Sequence, residues 1–63
     1  MTIGDNINTA REAAGLSRPQ LAIACGVTRA HIWLVERGFR NPSLDLLRAI
    51  AKATGTKIKE LVE

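Results

Sequence analysis

A chain of 63 residues holds one small domain, and a domain of that size buries only about 60% of its unfolded surface, so its stability is marginal without a partner. The 46% hydrophobic and 24% charged composition excludes a disordered tail, and nine Lys+Arg against six Asp+Glu give a net charge of +3 that favours an anionic partner such as nucleic acid. The single cysteine, Cys25, excludes an internal disulfide framework, and no Cys/His cluster, apolar run of about 20 residues or signal-peptide pattern points to a metal, a membrane span or export.

Cap residues, glycines and prolines divide the chain into five short helical segments, and no strand pattern competes with them. Thr2, with Asp5 three residues on, forms a capping-box pattern before Ile3, Ile7, Ala10 and Ala14 at helical spacing, so the first helix is expected over about 3–14, stopped by Gly15. Ser17 with Gln20 caps a second helix, in which Pro19 is tolerated in the first turn and Gly26 ends the run. Thr28 caps a third that ends at Gly38. Pro42 then pushes Asn41 out of helical geometry, Ser43 caps a fourth helix over roughly 44–54, and Gly55 closes it. The last segment, I-K-E-L-V, places Ile58, Leu61 and Val62 on one face of a helix too short to be stable alone.

The stretch S-R-P-Q-L-A-I-A-C-G-V-T-R-A-H-I-W-L-V-E-R-G carries the most information. Ala22 leaves room for a close helix crossing, Gly26 can take the positive φ of a tight interhelical turn, and Leu21, Cys25, Val27, Ile32 and Val35 supply apolar contacts on both sides of it. This is the spacing of a helix-turn-helix. Together with I-G-D-N-I, L-S with L-A four residues later, E-R-G, N-P-S-L and I-A-K-A-T-G, it makes almost the whole chain resemble the phage-repressor and Cro-like family, also called the XRE family.

The resemblance implies an all-α, compact five-helix bundle over residues 1–63, a lambda-repressor-like DNA-binding domain whose third helix enters the major groove of duplex DNA. It departs at Thr54, Thr56 and Lys57, where leucine, valine and a capping serine are usual, which puts the packing of the fifth helix in question. Arg11 and Glu36 each border an apolar face and need a polar partner; the resemblance implies that they pair with each other.

Residues of the third helix set 100° apart put Thr28, Ile32 and Val35 inward and Arg29, Ala30, Trp33, Leu34 and Arg37 outward. The outward set is the expected reading surface. Arg29 can donate a bidentate pair to guanine, and Ala30 and Leu34 can touch thymine methyl groups. Trp33 has three competing uses: against the DNA sugar-phosphate wall, at the rim of the core, or on a protein partner. Arg18, Arg37 and Arg40 surround this face as expected phosphate contacts, with the Ser17 and Thr28 hydroxyls as further candidates beside their capping roles. Residues 17–42 hold four arginines and one glutamate, so the net charge of the chain is concentrated there.

His31 has no second ligand beside it and reads as a polar flank or phosphate neighbour, and Cys25 as a buried apolar slot. Phe39 and Leu46 are expected to be at least partly exposed. Without paired carboxylates, a nucleophile with its base or a phosphate-binding glycine loop, no enzyme and no cofactor is expected.

The expected function is sequence-specific duplex DNA binding by a cytoplasmic transcription regulator, as a homodimer on a symmetric operator with Leu46, Ile58 and Val62 as interface residues. A phage repressor, a restriction-modification controller and an antitoxin would share the resemblance. The rival reading is a protein-interaction module that uses Trp33, Leu34 and Phe39.

Overall fold

Four hydroxyls begin four helices. In the computed structural model, which describes residues 2–63, the side chains of Thr2, Ser17, Thr28 and Ser43 each accept a hydrogen bond from the backbone N–H three residues on, and α1 (Ile3–Ala13), α2 (Arg18–Cys25), α3 (Arg29–Glu36) and α4 (Leu44–Thr54) follow them. Such a cap satisfies one of the N–H groups that the first turn leaves without a partner. Thr2 and Ser17 form complete capping boxes, with the Asp5 and Gln20 side chains accepting from the cap residue's own N–H. Met1, the first residue of the expected 1–63 domain, lies outside the described residues.

The fifth helix, α5 (Ile58–Val62), has no such cap at Lys57. Packing holds it instead. Leu61 is buried, Ile58 packs against the core, and Asn6 of α1 donates its Nδ2 to the Leu61 carbonyl at 2.9 Å. The threonines that replace the usual apolar pair before α5 satisfy their own polar groups: Thr54 donates to the Ile50 carbonyl at 2.8 Å and shares a 2.9 Å hydrogen bond with Thr56.

The core is aliphatic, with Ile7, Leu21, Ile32, Val35, Ile50 and Leu61 fully buried and Ala22, Leu46, Leu47 and Ala51 nearly so. No strand occurs among the described residues. α2 lies against both α3 and α4, while α1 bridges α3 and α5. The α2–α3 turn depends on Gly26, whose φ of 70° lies in the left-handed region that a side chain disfavours. A second glycine has a different use: Gly4 is buried where α1 meets the end of α3, leaving no space for a side chain against the Val35 and Glu36 carbonyls.

Three expectations need correction. α1 ends at Ala13, one residue early, with Ala14 as its C-cap. Thr28 is exposed rather than inward, because a cap residue has extended φ and ψ and the helical wheel does not apply to it. Leu46 is 6% exposed, so it serves this core and is not available as a dimer contact. The Ser43 cap begins α4, and packing against the rest of the bundle buries Leu46, Leu47, Ile50 and Ala51 as one stripe.

Candidate nucleic-acid interface

An ion cluster ties the end of α3 to α1 and to the start of α2. Glu36, in the last turn of α3, has a side chain only 1% exposed, and Arg11 of α1 donates its Nε to Glu36 Oε2 at 2.7 Å. Oε1 accepts from Asn8 Nδ2 at 3.0 Å and from Arg18 Nε at 2.8 Å. Arg11 also donates to the Leu16 carbonyl at 2.8 Å, tying the loop before α2 to the same cluster. Burial raises the pKa of the Glu36 carboxyl, but the hydrogen bonds from Arg11, Asn8 and Arg18 and the charge of Arg11 outweigh it, so the group is held below the ordinary glutamate range. The Arg11–Glu36 pair expected from the sequence is present, and Asn8 and Arg18 join it.

Sharing Arg18 with the cluster, an open cleft of about 410 Å³ is lined by Arg18 and Pro19 of α2 and by Arg29, Ala30 and Trp33 of α3. Trp33 is 39% exposed and forms one wall. Its ring lies 5.9 Å from that of Phe39, and the Arg37 guanidinium sits 5.4 Å over it. Cation–π contact of this kind restrains an otherwise free arginine. Arg40 Nη1 lies 3.5 Å from His31 Nδ1.

The expected reading residues therefore separate. Arg29, Ala30 and Trp33 share the cleft, Leu34 is half-buried and offers only an edge, and Arg37 is stacked on Trp33. Arg18, an expected phosphate contact, has its Nε committed to Glu36. The Ser17 and Thr28 hydroxyls are engaged as caps. Pro19, read from the sequence only as a tolerated helix-start residue, is also a cleft wall. Burial pushes the Cys25 thiol's pKa up, in keeping with an apolar packing role.

The sequence profile of a helix-turn-helix domain family matches residues 3–63. The chain belongs to this helix-turn-helix family. It is 49% identical over 50 residues to an uncharacterised HTH-type transcriptional regulator of Mycobacterium tuberculosis, covering 79% of this chain and 36% of the relative. To the immunity repressor of Bacillus phage phi105 it is 36% identical over 62 residues, covering 98% of this chain and 43% of that protein. The chain thus spans about two fifths of the length of these curated relatives. Its structure superposes with a TM-score of 0.88 on the restriction-modification controller protein C.AhdI of Aeromonas hydrophila, at 37% identity over 94% of this chain and 89% of that one. The repressor-like resemblance and five-helix fold expected from the sequence are both borne out. Within this helix-turn-helix, α2, Gly26 and α3 are the motif itself, and the cleft opens on its outer side. No helix is long and apolar enough to cross a membrane among the described residues.

Proposed function

We propose that this chain is a non-catalytic, cytoplasmic transcription regulator that binds duplex DNA sequence-specifically through α3, as a homodimer on a symmetric operator. The observation that carries the reading is the direction of charge. Arg18, Arg29, Arg37 and Arg40 border the outer side of the helix-turn-helix, while the one acid in residues 17–42, Glu36, is turned into the protein. Arginines around a cleft that Pro19, Ala30 and Trp33 also line suit a phosphate-walled groove. The names of the relatives, a transcriptional regulator, an immunity repressor and a controller protein, support the same reading.

In this reading Arg29 reads a guanine, Ala30 and the edge of Leu34 meet thymine methyl groups, and Trp33 lies along the sugar-phosphate wall. Arg18, Arg37 and Arg40 bind phosphates, and the capping hydroxyls of Ser17 and Thr28 lie beside them. The dimer contact is carried by Val62, which is 45% exposed, with the half-buried Ile58 beside it on α5. Two such subunits would read half-sites about 34 Å apart.

A titration of duplex DNA over a range of salt tests the proposal. Three phosphates per subunit in a dimer give a slope of log K against log salt of roughly −5. A slope near zero overturns DNA binding and leaves the Trp33, Leu34 and Phe39 surface for a protein partner. Sedimentation tests the dimer: a monomer at high micromolar concentration that binds a palindromic site one to one removes it.

A further inference from the structure

Glu36 accepts more positive charge than its burial requires. A carboxylate offers about four acceptor sites; here Arg11 Nε donates to Oε2 at 2.7 Å, while Arg11 Nη2, Asn8 Nδ2 and Arg18 Nε converge on Oε1 at 3.4, 3.0 and 2.8 Å. Arg11 alone neutralises the charge. A second guanidinium on the same carboxylate sets two cations side by side, a repulsion that folding does not call for. The two arginines also differ in exposure. The Arg11 side chain is 9% exposed and spends its donors inward on Glu36 and the Leu16 carbonyl, whereas the Arg18 side chain is 38% exposed and lines the cleft beside Arg29 and Trp33. The terminal nitrogens of Arg18 have no hydrogen-bond partner among the described residues.

We infer that Glu36 is a positioning residue for DNA binding: it grips the Arg18 guanidinium by Nε so that the two terminal nitrogens are aimed at a backbone phosphate on the rim of the cleft. The inference rests on the DNA-binding reading above. Arginine suits this task because its planar fork can give one edge to a carboxylate and another to a phosphate, which a lysine ammonium does only as a point charge. The surplus charge of the cluster is then neutralised by the DNA. A side chain fixed in advance also loses little freedom when the phosphate arrives. Because Arg11 fastens Glu36 to α1 and to the loop before α2, the aim of Arg18 is set by the core of the bundle.

The test measures DNA affinity per folded molecule, with folding checked by circular dichroism, for Arg18→Ala, Arg18→Lys, Glu36→Gln and the Arg18→Ala/Glu36→Gln double variant. Arg18→Ala should weaken binding to all sequences alike by roughly tenfold per subunit and make the salt slope shallower by about 0.9 per subunit. Arg18→Lys should restore the slope and remain several-fold weaker. In the Arg18→Ala background, Glu36→Gln should cost no further affinity, since its effect passes through Arg18.

Additive losses overturn the positioning role, and so does full restoration by Arg18→Lys. Should Glu36→Gln fail to fold, the wild-type protein supplies the answer by nuclear magnetic resonance. The Arg18 Nε proton should be protected from exchange in the free protein and keep its resonance on binding a duplex; a proton unprotected in the free state, or one that moves off Glu36 in the complex, overturns the inference. Wild-type protein that ignores duplex DNA would refute the DNA-binding reading itself. Steep salt-dependent binding that Arg18→Ala leaves unchanged would refute only the role given to Arg18 and Glu36.

Discussion

Replacing Gly4 by alanine sets two effects of opposite sign against each other. Within a helix, alanine is favoured over glycine by up to about 1 kcal/mol, so propensity alone makes Gly4→Ala stabilising. The packing opposes it. A Cβ at position 4 would stand 2.7 Å from the Val35 carbonyl oxygen and 2.9 Å from the Glu36 carbonyl carbon, and nearer still to the Glu36 oxygen. These are backbone atoms of the last turn of α3, which cannot swing aside as a flexible side chain can. α1 must therefore back away, and it carries Asn8 and Arg11, whose hydrogen bonds to Glu36 are 3.0 and 2.7 Å long. Overpacking of this kind costs about 1–3 kcal/mol, and strain on the buried ion pair adds to it. A net loss of about 2 kcal/mol is expected, lowering the melting temperature of so small a domain by about 10 °C. Thermal unfolding and urea titration with an unchanged m-value would show it, with Thr9→Ala on the exposed side of α1 as a near-neutral control. An unchanged or raised melting temperature for Gly4→Ala would refute the close approach of α1 to α3.

Three further outcomes follow from the geometry. The Glu36 carboxyl is held below the ordinary glutamate value, so its contribution to stability is present above about pH 4.3 and is lost as pH falls through its lower folded-state value; the melting temperature should drop more steeply in acid for the wild type than for Glu36→Gln. Arg29→Ala should relax the preference for one base pair at a cost of about 1–3 kcal/mol on the best site, whereas Arg40→Ala should weaken all sequences alike; selection of binding sites with each variant separates the two. Trp33, the one tryptophan and 39% exposed, should change its fluorescence when a specific duplex is added, while a buried-type emission unaltered at saturation, with a large stability loss in Trp33→Ala, would assign it to the core.

The helices were legible in the sequence because their ends are written in local chemistry. Thr2, Ser17, Thr28 and Ser43 each act on a backbone group three residues away, so spacing alone reveals them. Ile32 and Val35 were legible as core for a similar reason, since both lie on one side of the α3 wheel. Relations between helices were not. Whether Leu46 faces the core or solvent depends on the phase at which α4 meets its neighbours, and two adjacent leucines leave that phase ambiguous. The role of Gly4 depends on where the end of α3 lies, more than thirty residues along the chain. Arg18 showed its charge in the sequence but not the direction of its Nε, which required Glu36 to be placed in three dimensions.

Glu36 also sits at an unfavourable point of its own helix. It is the last residue of α3, where the partial negative charge of the helix end disfavours a carboxylate, and it is buried as well. Both costs would vanish if apolar residues of similar volume replaced Glu36 and its buried partner Arg11 together, and a buried ion pair contributes little net stability over such a double replacement. Stability is therefore a poor explanation of the site. What an apolar residue could not do is join α1, the start of α2 and the end of α3 through directional bonds: Arg11 from the first, Arg18 from the second, and the carboxylate from the third. Leucine contacts tolerate sliding by an ångström, whereas a guanidinium–carboxylate contact of 2.7–2.8 Å does not. On the DNA-binding reading proposed above, arginines from two helices must keep their relative placement, and the unfavourable carboxylate is intelligible as the fixture that holds Arg18 on the α2 side of the cleft that Arg29 lines from α3.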